Sequence, residues 1–125
     1  MQSSSSYSTN ALISLLASHL ADSPDKILFR FLDDEMPITR QDFFSECEKF
    51  CAFFQEIGVQ PDDRIVVQTP KSSKSLSLYI GAIMAGGIYI PLNPDFTDAE
   101  VSYYLNDSQP SVSFVCLNAG KACLR

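Results

Sequence analysis

Three features of the sequence predict an α/β fold made of parallel βαβ units preceded by a helix and a hairpin. From about residue 64 onward, short β-branched or aromatic runs alternate with stretches whose apolar residues recur at helical spacing. The connections between them are short, as crossovers on a parallel sheet require. Residues 65–67, Ile-Val-Val, form a continuous β-branched run of the kind found in strands buried on both faces. At 125 residues, 46% hydrophobic and 19% charged, the chain is long enough for one domain with a real core.

Each element has a local cause. Residues 1–9 are polar and are expected to be a disordered tail, leaving 10–125 as the domain. Asn10 is a suitable N-cap for a helix over about 10–21 whose stripe is Leu12, Leu15, Leu16 and Leu20. KILFRFLDDEMPIT then predicts a hairpin with its acidic turn at Asp33 and Asp34. Thr39 caps a long amphipathic helix with Phe43, Phe44, Cys47, Phe50, Cys51, Phe54 and Ile57 on one face, and Gly58 ends it as a left-handed cap. The phenylalanines of this helix, Phe53 included, read as core.

After the strand at 65–67 comes a helix over about 72–86, with Leu76, Tyr79, Ile80, Ile83 and Met84 as its stripe. Leu78, Ala82 and Ala85 leave it little polar surface, so it should be covered on most sides. Gly86 and Gly87 let the chain reverse closely against the sheet. Ile88, Tyr89 and Ile90 read as a buried strand, stopped by Pro91, which lacks a ladder donor. Asn93 and Pro94 turn the chain outward. Thr97 and Glu100 form a capping box for a helix with stripe Val101, Tyr104 and Leu105. A last strand follows at 112–117. Because SVSFVC, residues 111–116, carries no charge, it is expected to be an exposed sheet edge and a route to self-association.

Composition removes several functions. With 15 acidic against 9 basic side chains, a net charge of -6 and a pI near 4.5, the chain lacks the electrostatic footprint of a nucleic-acid binder. No apolar run reaches the roughly 18 residues of a membrane span. The N-terminal residues have neither a secretion nor a mitochondrial signal pattern, so a cytoplasmic location is expected. Cys47 and Cys51 stand four apart on a helix, Cys116 and Cys123 stand elsewhere, no CxxC occurs, and His19 is isolated; these read as buried or incidental thiols and a boundary histidine. The Ala-Gly-Gly of residues 85–87 is no phosphate loop, and Lys71 and Lys74 read as solvated at a helix start. No catalytic, cofactor-binding or metal-ligating residue is assigned.

The segment IMAGGIYIPLN, residues 83–93, resembles the second core motif of the adenylate-forming superfamily of AMP-dependent synthetases and ligases, with Met84 where that motif often has Lys. PITRQDFF (37–44) is similar to its first core motif. IGVQPDDRIVV (57–67) is similar to a Gly-Val-x-Pro-Gly-Asp-Arg-Val segment, with Asp62 in place of the usual Gly, and PDFTDAEVSYYLNDSQP (94–110) to the stretch after the second motif. The resemblance spans residues 10–117 in order. It implies the N-terminal portion of an adenylate-forming large domain. Asn93 and Thr97 are similar to acyl-CoA synthetases, where peptide-synthetase adenylation domains usually show Asp and Pro. Residues 67–93 look particularly like the malonyl-CoA synthetase group.

The resemblance implies, for the parent enzyme, activation of a small-molecule carboxylate by ATP with Mg²⁺, then transfer to CoA, as in fatty acid metabolism. A Thr-Ser-Gly-Thr-Thr-Gly-x-Pro-Lys-Gly loop, a ribose-binding acid and a C-terminal lysine would carry that chemistry. That loop is not found in residues 1–125, and the other two parts are not recognised there. The chain therefore reads as a fragment truncated before the phosphate loop and inactive alone, with no cofactor held within it. A peptide-synthetase adenylation fragment and a stand-alone α/β binding or interaction module are the alternatives.

Overall fold

The computed structural model describes residues 10–32, 36–117 and 121–124. The first helix, α1 (Ala11–Asp22), starts where the Asn10 side chain accepts a hydrogen bond from the Ile13 amide at 3.2 Å. Its buried face is not the expected one. Leu12 and Leu15 are 41% and 57% exposed, while Ile13 is fully buried with Leu16, Ala17 and Leu20 packed around the same core. Those four sit at i, i+3, i+4 and i+7, so a helix apolar on several sides turned a second, equally periodic stripe inward.

Strands β1 (Ile27–Phe29) and β2 (Ile38–Thr39) pair antiparallel as the anticipated hairpin, although Asp33 and Asp34 fall outside the described residues. Thr39 then accepts from the Asp42 amide at 3.1 Å and opens α2 (Arg40–Glu56). Phe43, Phe44, Cys47, Cys51 and Phe54 are buried, and Gly58 closes the helix at φ +91°. Ile57 is the exception on that stripe, since it stands at the fraying end and is exposed.

The remaining elements are β3 (Arg64–Gln68), α3 (Ser73–Met84), β4 (Ile88–Leu92), α4 (Asp98–Ser108), β5 (Val112–Leu117) and β6 (Lys121–Leu124). They form a sheet of order β4-β3-β5-β6, with β3 parallel to both neighbours and β6 antiparallel to β5. The chain moves outward from β3 to β4 and then crosses back over β3 to reach β5. Right-handed crossovers in opposite directions place their helices on opposite faces, and the packing agrees. Ile65, Val67 and Val112 meet Phe54, Val59 and Ala82 of the α2–α3 layer, whereas Val66, Leu92 and Val115 meet Val101 of α4.

Two expectations about the sheet are corrected. Residues 111–116 do not form its exposed edge, because β6 pairs along β5 from Phe114 to Leu117 and takes up the donors and acceptors on that side. Nor do Ile88, Tyr89 and Ile90 form a buried strand; of β4 only Leu92 is buried. The strand hydrogen-bonds to β3 alone among the described strands, and Ile88 is 46% exposed. The Ile-Tyr-Ile alternation reads the same at an edge as inside a sheet; only the strand order distinguishes them.

Backbones approach closely at two glycines. A Cβ on Gly81 would lie 2.5 Å from the Phe50 Cβ and 2.8 Å from the Cys47 carbonyl, so α2 and α3 touch main chain to main chain there. At the helix-to-strand junction, Gly86 has φ +88°, and a Cβ on Gly87 would fall 2.5 Å from Cδ1 of Ile65 and 3.2 Å from the Ala82 carbonyl. The Gly86 carbonyl accepts from the Asp62 amide at 2.9 Å, tying this junction to the turn before β3. Asp62 itself sits at φ +69°, the left-handed region that favours the Gly found at this point of the similar segment.

Under the Gly81 contact, burial pushes the Cys47 thiol up to about 12, against a hydrogen bond with Ser77 that pulls the other way. A raised folded-state value means that Cys47's contribution to stability is complete below the unfolded value of 9.0 and is lost as pH rises toward about 12.

Three outcomes follow from this architecture. Gly87→Val should cost about 1 to 3 kcal/mol in urea unfolding, the range for overpacked sites. Asp62→Gly should raise the melting temperature, with a gain of about 0.5 to 1 kcal/mol from relief of left-handed strain less the added unfolded-state entropy. Between pH 9 and about 11 the urea midpoint should fall, and the fall should be shallower in Cys47→Ala.

Candidate functional site

A concavity opens at the carboxyl ends of β3 and β4. It measures about 600 Å³ and lies where α3 begins and the β4–α4 loop departs. Open α/β sheets place their ligands at this end of the strands, because loops and helix starts gather there. One wall is aromatic. The Tyr79 and Tyr89 rings meet edge-on at 4.8 Å, and Phe31 from the segment after β1 completes it. Leu76, Pro91 and Pro94 add apolar surface.

Polar groups sit at the rim. Ser72 caps α3 by accepting from the Ser75 amide at 3.1 Å, while the Ser75 hydroxyl accepts from the Ser72 amide at 2.8 Å. This reciprocal pair satisfies two of the donors that a helix start exposes. Lys71 precedes the cap and lines the cleft, with Thr69 and Asn93 nearby. Lys74 leaves the site altogether; it projects into solvent 4.0 Å from Glu46 of α2. Burial raises the Tyr89 phenol above the ordinary tyrosine value, and neighbouring Tyr79 adds to the shift, so this hydroxyl stays protonated at neutral pH.

The opposite side of the loop rests on Gln68, the last residue of β3. Its amide nitrogen lies 3.1 Å from the Asn93 carbonyl and 3.4 Å from those of Pro94 and Phe96. The loop also holds itself. Asn93 Oδ1 accepts from the Asp95 amide at 2.9 Å, and Thr97 and Glu100 form the anticipated capping box of α4.

Among the described residues no carboxylate lines this cleft, and Lys71 is the one charged side chain that does. Mg²⁺ selects carboxylate, phosphate and water oxygens, so this donor set does not suit it. No group of three or more His, Cys, Asp or Glu side chains gathers among the described residues. Among the described lining residues no nucleophile is paired with a base. The arrangement can seat an apolar or aromatic group against the tyrosines. Sequence reasoning assigned no site residue and missed this cleft because Tyr79 and Tyr89 look like ordinary stripe and strand residues. The usable signal was the position of the helix start and the Asn-Pro turn at the ends of two parallel strands.

Known proteins resemble this chain in sequence and fold. The long-chain-fatty-acid–CoA ligase of Bacillus subtilis (strain 168) is 36% identical over 101 residues, covering 81% of this chain and 18% of that protein. Bacitracin synthase 3 of Bacillus licheniformis is 30% identical over 95 residues, covering 76% of this chain and 2% of its own length. The crystal structure of apo MatB from Rhodopseudomonas palustris superposes with a TM-score of 0.72 at 29% identity, covering 79% of this chain and 20% of that one; MatB with ATP bound superposes equally well, at 0.71. The chain thus spans about a fifth or less of each of these relatives. The model of the family described as AMP-binding enzyme matches residues 16–124, across every element from the middle of α1 to the end of β6, and the chain belongs to that adenylate-forming family.

Proposed function

We propose that residues 10–125 are the N-terminal portion of a larger adenylate-forming domain of an ATP-dependent acyl-CoA synthetase, acting in the cytoplasm. The observation that carries this reading is the 36% identity to the fatty-acid–CoA ligase over most of the chain. Asn93 and Thr97 point the same way, and Cys47 and Cys51, buried and joined in no disulfide, suit a reducing compartment. In the reaction a carboxylate oxygen attacks the α-phosphorus of ATP, the bond to the β-phosphate oxygen breaks and pyrophosphate leaves. The CoA sulfur then attacks the acyl carbonyl, a C–S bond forms, the thiol proton is lost, and AMP departs with the electron pair of the mixed anhydride. This chain's part is architectural. It supplies the parallel strands and the β4–α4 turn, and the phosphate loop, the ribose-binding acid and the mobile lysine belong to other parts of the enzyme.

A peptide-synthetase adenylation domain is favoured by the 30% identity to bacitracin synthase 3, but that match is weaker and shorter than the one to the ligase. A stand-alone module has one observation in its favour: β6 covers the side of β5 that was expected to be open. Hydroxylamine trapping separates the first two. The full-length polypeptide containing this segment should give hydroxamates with fatty or dicarboxylic acids and CoA thioesters in the presence of CoA; hydroxamates with amino acids alone would favour adenylation. The 125-residue chain by itself, given ATP, Mg²⁺ and a panel of carboxylic acids, should release pyrophosphate no faster than buffer. Acid-dependent release by clean protein would overturn the assignment of the chemistry to other parts of the enzyme.

A further inference from the structure

We propose that Gln68 is the positioning residue of the cleft: its buried carboxamide holds the loop of residues 93–96, whose Asn93 and Pro94 form one rim. Gln68 is 2% exposed at the end of a strand whose other buried residues are Ile65, Val66 and Val67. It stands between Leu92 of β4 and Val115 of β5 in the ladder. As packing alone it is a poor choice. A leucine or methionine would fill similar space, whereas the amide buries two polar atoms, and its Oε1 has no hydrogen-bond partner among the described residues. A buried acceptor left so is a net cost to the fold.

What offsets that cost is on the nitrogen side. Three carbonyl oxygens, from Asn93, Pro94 and Phe96, converge on Nε2 at 3.1, 3.4 and 3.4 Å. With acceptors on three sides, only the nitrogen fits facing them, which fixes the orientation of the amide. One side chain thereby gathers three carbonyls of an irregular segment that has no ladder of its own, at the point where β4 ends and α4 has not begun. The local bonds of the loop, Asp95 amide to Asn93 Oδ1 and Phe96 amide to Asn93 carbonyl, curl it on itself but do not attach it to the sheet. Gln68 makes that attachment, reaching 25 to 28 residues along the chain. The inference rests on loop geometry and not on the ligase reading, so either can fail without the other.

Site-resolved hydrogen exchange on the 125-residue chain tests it. Gln68→Met removes the donor at similar length, and Gln68→Glu keeps the shape while exchanging the donor for an oxygen. Both should speed exchange at the Asp95, Phe96 and Thr97 amides by about ten-fold or more, with the Val66 and Val115 amides within about two-fold of wild type. Loop amides that stay at wild-type rates, or that change only in step with Val66 and Val115, would overturn the proposal, since the loop would then be held by its own turn and capping box. A measurement on the wild-type chain stands independent of whether the variants fold. The Gln68 side-chain amide hydrogens should be protected and should lose protection together with the loop amides as denaturant is raised; exchange at the rate of a free carboxamide would equally overturn it.

Discussion

The structure depends on one constraint: β3 is enclosed on both faces and along both edges. Its ladder partners are β4 and β5, so its backbone groups are satisfied only if both parallel neighbours are present and in register. Ile65 and Val67 face the α2–α3 layer and Val66 faces α4, so the two cores meet across this strand. A polar residue in the middle of it would be buried in one core or the other. The one polar side chain of the run that is buried, Gln68, comes at the last position, where the alternation still points it inward but the ladder is giving way to loops. That end is also where the cleft opens.

Close backbone contact fixes how the helical layer meets β3. The Gly81 approach sets the spacing between α2 and α3, which lets Phe54 of α2 reach past α3 to stand edge-on to Phe114 of β5, ring centroids 6.0 Å apart. At the far end of α3, Gly87 presses against Ile65, so the helix that follows β3 folds back onto the strand it left. Dense interiors transmit such contacts. A shift of α3 would therefore move Tyr79 and the Ser72 cap, and with them one wall of the cleft.

Much of the fold was legible because its signals are local. The Thr39 cap, the Gly58 terminator, the Thr97–Glu100 box and the β-branched run at 65–67 each act within a few residues, and all hold in the structure. The misreadings share a different character. On α1, apolar residues on several sides offered two stripes, and the choice between Leu12 and Ile13 was made by the neighbouring α2 rather than by period. For β4 and β5, edge or centre is a property of strand order, which no short window contains. The Lys121–Leu124 strand was passed over as a short tail after the last recognised strand, yet it pairs with β5. The site was less legible still, since its wall consists of residues that also serve as core.

Residues 67–75 show why motif resemblance and physical reading met here. Val67 closes the core, Gln68 reaches across to the β4–α4 loop, Thr69 and Lys71 turn to the cleft, and Ser72 and Ser75 close the helix start on themselves. A stretch with that many duties leaves little freedom in which side chains fit it. None of those duties is bond-making. In an α/β sheet whose crossovers diverge from a central strand, the loops at the carboxyl ends must be held apart before anything can bind between them. Holding them apart is work done by a cap, a close glycine and a buried amide, and these are the parts this chain contains.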